Sequence, residues 1–163
     1  MANGSGEGPN VSTKAVTPRR RRTPREASAY ILDDQVGHML RRAMQRHTTI
    51  FAARLGVDLT ATQWAAMSKL YEKGACSQNL LGRRTAMDAA TIKGVVDRLV
   101  KRGLVETRPD PEDGRRLVVA LTVAGVTLTE RLIPVANGIT EETLAPLEVE
   151  EREQFMALLE RLT

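Results

Sequence analysis

Residues 88–122 read DAATIKGVVDRLVKRGLVETRPDPEDGRRLVVALT, and the stretch changes periodicity half-way along. Its first part is helical: Ile92, Val95, Val96 and Leu99 stand at offsets 0, 3, 4 and 7 and form one apolar stripe. Asp88 is placed to cap this helix and Gly103 to stop it. At about 100° per residue, Ala90, Gly94, Asp97 and Lys101 then face away from the stripe, with Thr91, Lys93 and Arg98 on its flanks. That exposed face is narrow and begins with small residues. The second part is extended: LVETR and RLVVALT are rich in strand formers, and PDPEDG between them carries the Pro, Asp and Gly of a turn. The stretch therefore predicts a basic amphipathic helix running directly into a β-hairpin with an exposed tip.

Upstream, Ser77 opens a short helix carrying Leu80 and Leu81. Before it, Thr60 is a good N-cap for a helix with Trp64, Met67 and Leu70, ended by EKGA. Residues 29–55 space Leu32, Val36, Met39, Leu40, Ala43, Met44, Ile50 and Phe51 near the rhythm of one long helix. Downstream, Thr122 caps a helix that Pro134 either kinks or ends, and a last helix gathers Phe155, Leu158, Leu159 and Leu162 on one face. The fold class expected is mainly α with a small β-hairpin, in one domain without internal repeats.

The 163 residues carry 24 Lys and Arg against 20 Asp and Glu, a net charge of +4 that favours an anionic partner. A single cysteine, Cys76, excludes an internal disulfide framework and a multi-thiolate metal site, and fits a reducing compartment. His38 and His47 are the only histidines; their spacing matches no common zinc motif, and no phosphate loop or nucleophile elbow is present. Catalysis, metals and cofactors are therefore not expected. No apolar run approaches the ~20 residues that cross a bilayer, and MANGSGEGPNVSTK lacks the apolar segment of a secretory signal, so the expectation is a soluble cytoplasmic protein without membrane contact. Residues 1–27 are rich in Gly, Ser, Pro and Thr and hold five arginines between Arg19 and Arg25. They read as a flexible basic tail, serving either as a solubilising segment or as an arm that follows DNA phosphates or a minor groove.

A short helix, a turn, an amphipathic helix and then a hairpin is the winged helix-turn-helix plan, in which the apolar stripe anchors a recognition helix whose other face fits the major groove. Pattern alone fits a plain small α+β domain as well. The stretch MDAATIKGVVDRLVKRGLVETRPDPEDGRRLVVALTVAG resembles the MarR family of bacterial transcription regulators, which share the pattern TVxxLVDRLExKGLVxRxxDPxDxRxxxVxLTxxG. The match runs through Thr91, Val96, Asp97, Arg98, Leu99, Gly103, Leu104, Val105, Arg108, Asp113, Arg115, Leu121, Thr122 and Gly125. The element order extends the resemblance over roughly residues 30–163.

The resemblance implies a homodimer that binds double-stranded DNA, each winged helix (58–122) reading one half-site of an inverted-repeat operator, with half-sites about 34 Å apart. Residues 28–56 and 123–163 would supply the dimerisation helices, whose apolar stripes independently need a covering surface. It implies that Arg115 enters the minor groove and that Asp113 orients it; Gly114 stands where a larger residue is common and Arg116 follows, so either arginine fits the role. Thr91 and Lys93 lead the candidates for base contacts, with Ala89, Ala90 and Gly94 allowing close approach, while Thr91 and Arg98 suit phosphates equally. Ser77 and Gln78 suit a phosphate or simply cap their helix. Gly82 and Thr85 stand where Ala and Leu are usual, which predicts looser packing of the short helix; Arg83 and Arg84 suit phosphate contacts or a solvated face.

Many MarR-like proteins are repressors released from DNA by a small molecule, and the wording AMDAATIKGVVDRL looks closest to members governing aromatic-compound catabolism. An aromatic acid is the effector this implies, with an acyl-coenzyme A thioester as the rival and a ligand-independent architectural DNA binder as the alternative function. Arg42 and Arg46 are candidates to meet a carboxylate, with His47, Trp64 and Met67 against a ring. Trp64 and Met67 fit plain core positions equally well, and the arginines a solvated face. Cys76 stands just ahead of the Ser77 cap rather than early in the first helix, where redox-sensing members usually carry theirs, and has no partner thiol, which argues against a redox role, although a helix N-terminus could lower its pKa.

Overall fold

The computed structural model describes residues 30–110, 113–114 and 117–163. A 3-10 turn at Leu32–Asp34 leads into α1 (Val36–Arg54), followed by α2 (Ala61–Lys73), α3 (Gln78–Arg84) and α4 (Ala89–Lys101). The hairpin strands β1 (Val105–Pro109) and β2 (Leu117–Leu121) come next, then α5 (Val123–Leu144) and α6 (Val149–Glu160). The basic tail, Arg115 and Arg116 lie outside the described residues.

Short polar side chains start four of these helices. Thr60 forms a reciprocal capping box with Gln63: its hydroxyl accepts from Gln63 N at 3.2 Å while Gln63 Oε1 accepts from Thr60 N at 3.0 Å. Ser77 Oγ accepts from Leu80 N at 3.3 Å, Asp88 Oδ1 from Thr91 N at 2.7 Å and Thr122 Oγ1 from Gly125 N at 3.1 Å. Each supplies an acceptor to an amide that has no partner within the helix. The first helix differs: Gln35 is extended and offers no side-chain cap, so the helix expected from residue 29 begins at Val36 behind the 3-10 turn. Gly74 and Gly103, with φ of 74° and 67°, end α2 and the turn after α4 in the left-handed region that favours glycine. Pro134 lies inside α5, which runs on through it.

The core sits between α2, α3, α4 and the hairpin. Ala66, Met67, Leu81, Ile92, Val95 and Leu99 are fully enclosed, and Val105 and Val119 cover them from the strands. The strands pair antiparallel from Val105↔Leu121 to Pro109↔Leu117, and Cys76 adds a one-residue bridge to Val119, extending the hairpin to a third edge. Ile50, Phe51 and Leu55 at the end of α1 join this core with Leu132 and Ile139 of α5. No other residue of α1 and none of α6 is fully buried.

Two glycines set close approaches. A Cβ on Gly82 would lie 3.0 Å from the Met87 carbonyl oxygen and 3.1 Å from Ile92 Cγ2. Gly82 therefore draws α3 tightly onto α4, and Thr85 Oγ1 ties back to Leu81 O at 2.7 Å, so the looser packing expected of this helix is corrected. At Gly125 a Cβ would overlap the Leu104 carbonyl oxygen outright and stand 3.1 Å from Leu104 C and from Leu121 Cδ2. Thr122 N donates to that same Leu104 oxygen at 3.1 Å, and Thr122 Oγ1 donates to Gly103 O at 2.7 Å, welding α5 to the start of the hairpin.

Candidate nucleic-acid interface and ligand cavity

Burial of the four-residue stripe turns the opposite face of α4 outward. Ala89, Ala90, Thr91, Lys93, Asp97 and Arg98 are exposed and begin the helix with a small-residue surface. Two of its cations are engaged on the helix itself. Lys93 Nζ pairs with Asp97 Oδ2 at 2.8 Å, one turn on, and this ammonium holds the Asp97 carboxyl below the usual carboxylate range. The Arg98 guanidinium lies over Gly94, close enough that a Cβ there would stand 3.4 Å from Arg98 Nη1. Gly94 is thus half covered, and Lys93 must leave Asp97 before it can reach a base. The i, i+4 spacing of Lys93 and Asp97 is visible in the sequence and signals this pair.

Beside α4, the hairpin carries Arg108 opposite Val118 and ends at Asp113 and Gly114 among the described residues. Ser77 is exposed and used as a cap, and Gln78, the first residue of α3, is half-buried. Cys76 is buried, and burial pushes its thiol up, with the neighbouring Arg84 opposing this in part. Burial thus opposes the lowering that a helix N-terminus could give.

A cavity of about 390 Å³ opens between α1, α2 and α5, walled by His47, Phe51, Trp64, Ser68, Asn137 and Thr140. The structure brings His47 and Trp64 together here. Met67 is fully enclosed in the core and does not line it. Arg42 and Arg46 line a separate depression with Gln45 and Thr49, where Arg46 Nη2 donates to the Glu142 carbonyl at 3.0 Å. The α5 wall, Asn137 and Thr140, has no local signal in sequence, because it depends on which turn of α5 meets α1.

Hydrogen bonding decides what His47 offers. Thr143 Oγ1 donates its one proton to Ile139 O at 2.8 Å, so toward His47 Nδ1, 3.0 Å away, it acts as the acceptor. Nδ1 then carries the hydrogen, and Nε2 of the neutral ring is an acceptor. Ser68 Oγ, on the same wall, is buried and has no hydrogen-bond partner among the described residues. An orphaned hydroxyl of this kind costs about 1–3 kcal/mol.

The MarR family model matches residues 59–117, the span from the start of α2 to the second strand. The HTH-type transcriptional repressor NicR of Pseudomonas putida is 39% identical over 151 residues, covering 92% of this chain and 94% of that one. The chain belongs to the MarR family. Among solved structures, a probable transcriptional regulator from Pseudomonas aeruginosa superposes with a TM-score of 0.79 at 53% identity, covering 82% of this chain and 100% of that one. BpsR of Bordetella bronchiseptica, whose DNA binding is regulated by 6-hydroxynicotinic acid, follows at 0.78 and 40% identity, covering 82% and 96%.

MarR membership makes the winged helix-turn-helix, with flanking helices α1, α5 and α6, the frame of a transcription regulator rather than of an enzyme. In that frame α3 and α4 are the helix-turn-helix and β1–β2 the wing. No helix among the described residues is long and apolar enough to cross a membrane.

Proposed function

We propose that this MarR-family chain is a cytoplasmic repressor that binds inverted-repeat operator DNA as a homodimer and leaves it when a small hydroxylated aromatic acid fills the cavity at His47 and Trp64. The carrying observation is that cavity. It lies between the helices left for pairing and the helix that begins the winged unit, and it is walled by His47, Phe51 and Trp64, with Ser68, whose buried hydroxyl has no partner among the described residues, in its lining. A ligand hydroxyl would donate to Nε2 of the neutral ring, and a carboxylate would accept from it once protonated. The 6-hydroxynicotinic acid response of BpsR supports this chemical class. A coenzyme A thioester is disfavoured by the cavity's size and by the absence of Arg or Lys from its described lining.

Pairing is supported by the apolar surface left uncovered. Val36, Met39, Leu40, Met44, Phe155, Met156, Leu158 and Leu162 are all more than a third exposed, and α6 buries no residue within its own chain. A second copy covers such a surface without further invention. Ala89, Ala90, Thr91 and Lys93 of α4 would then read bases, Arg98 phosphate, and Arg115 or Arg116 the minor groove. Occupancy of the cavity favours a dimer whose two α4 helices no longer match successive major grooves.

Sedimentation of the purified chain tests the assembly, and a monomer at micromolar concentration would refute it. Thermal shift with hydroxylated pyridine and benzene carboxylic acids, beside coenzyme A thioesters, tests the effector. A ligand that binds only the native state raises the melting temperature. An inducer must also release the protein from an inverted-repeat duplex obtained by binding-site selection; no shift with any acid would favour a ligand-independent DNA binder.

A further inference from the structure

Among the described residues, the cavity between α1, α2 and α5 is lined by a single titratable side chain, His47. The α2 wall offers Trp64 and Ser68, and the α5 wall Asn137 and Thr140. On its other side His47 borders a groove toward α6 lined by Met44, Phe155 and Leue159-side apolar groups, again without a second titratable residue. Arg42 and Arg46 stand in their separate depression. The charges nearest in the chain, on α1 and α5, answer one another: Arg46 Nη2 donates to the Glu142 carbonyl at 3.0 Å, and Arg54 Nε pairs with the Glu142 carboxylate at 2.6 Å. A carboxylate brought into this lining therefore finds one group able to match its charge, and an unmatched buried carboxylate costs far more than a hydrogen bond returns.

His47 can take up a proton without losing a contact. Thr143 Oγ1, 3.0 Å away, accepts from Nδ1 because its own hydrogen goes to Ile139 O at 2.8 Å. A second proton then enters at Nε2, and the Thr143 bond stands in both states. We propose that the cavity takes its aromatic acid together with one proton from solvent, so that the effector is held as a carboxylate against a His47 imidazolium. This rests on the effector reading above and adds its regulation. The bound anion favours the charged ring, so the complex keeps that proton to a higher pH than the free protein does. Affinity for the acid is then highest at low pH, falls by up to about tenfold per pH unit between the two titrations, and levels off above them. An uncharged ligand of the same shape lacks this dependence. Imidazole changes charge between about pH 5 and 8, so a fall in pH within that range would itself favour release from DNA at a fixed effector concentration.

The test titrates the 2-, 3- and 4-hydroxybenzoates, each beside its uncharged amide, into the full chain by calorimetry between about pH 5.5 and 7.5, where imidazole changes charge. Proton uptake is read from the change in heat across buffers of different ionisation enthalpy. The tightest acid should take up a fraction of a proton that approaches one within this range, with affinity falling by up to about tenfold per pH unit, and its amide should take up none. His47→Gln should abolish the uptake and flatten the pH profile. His38→Gln removes the other histidine, which pairs with Asp33 at 3.2 Å, and should leave both unchanged. Acid binding without proton uptake would overturn the proposal and leave the effector reading standing; so would uptake that persists in His47→Gln or that the amide shares. Absence of both heat and melting shift with every acid at every pH would overturn the effector reading itself. Because uptake is measured on the unmutated protein, a His47→Gln chain that fails to fold does not remove the test.

Discussion

Replacing Gly125 by alanine should destabilise the protein although it places a better helix former inside a helix. Intrinsic propensity favours alanine by about 1 kcal/mol. The added methyl, however, would overlap the Leu104 carbonyl oxygen and stand 3.1 Å from both Leu104 C and Leu121 Cδ2. Leu121 Cδ2 is the end of a flexible side chain and can turn away; Leu104 is backbone. Restoring ordinary contact needs α5 to slide by about 1 Å, at an overpacking cost of roughly 3 kcal/mol. The slide also strains the Thr122 N–Leu104 O bond of 3.1 Å, worth about 1 kcal/mol. Less the propensity gain, the net loss is about 3 kcal/mol, or roughly 6–12 °C in melting temperature for a chain of this size. Gly138 of the same helix has nothing within 4 Å of a built Cβ, so Gly138→Ala is the matched control and should stabilise by roughly 0.5–1 kcal/mol. Urea unfolding at one fixed protein concentration reads both, because pairing would make stability concentration-dependent. A Gly125→Ala protein as stable as the wild type would refute the claim that α5 is seated against the Leu104 backbone.

Three further outcomes are expected. Ser68→Ala removes an orphaned buried hydroxyl, so it should leave thermal stability equal or higher while weakening the melting-temperature shift given by a hydroxylated aromatic acid; a loss of stability would show that the hydroxyl has a partner. Acid should destabilise the fold: the Thr91 amide holds the Asp88 carboxyl below its ordinary 3.8, and Lys69 with Lys73 lowers Glu72 from 4.5 to about 2. Both folded values lie below the unfolded ones, so the stabilisation is full above pH 4.5 and is lost as pH falls toward 2; Asp88→Asn keeps a cap but should flatten the urea midpoint against pH. Lys93→Ala should change the base preferred at one half-site position in a binding-site selection, whereas an equal loss on all sequences would assign Lys93 to phosphate.

What was legible from sequence was local. Thr60, Ser77, Asp88 and Thr122 each start a helix because a cap is a contact between residues three apart, and such spacing is written in the chain. The stripe Ile92, Val95, Val96 and Leu99 is buried as its period demands. The start of α1 was not legible, since Gln35 gives no cap signal and the apolar rhythm continues into residues that form a 3-10 turn. The cavity was only half legible: His47 and Trp64 meet, but the roll of α1 carries Arg42 and Arg46 to another depression, and the α5 wall depends on a pairing some ninety residues away in the chain. Cys76 shows the same limit. Its place ahead of a helix left a lowered pKa open, and only the bridge to Val119, a long-range contact, shows that it is buried.

The last helix has none of its residues fully buried, and Phe155, Met156, Leu158 and Leu162 stand more than a third exposed. Under the pairing proposed above, a copy without its mate would show this apolar ridge to proteases and would be cleared before a paired one, trimming the supply of regulator toward the amount that has found a mate.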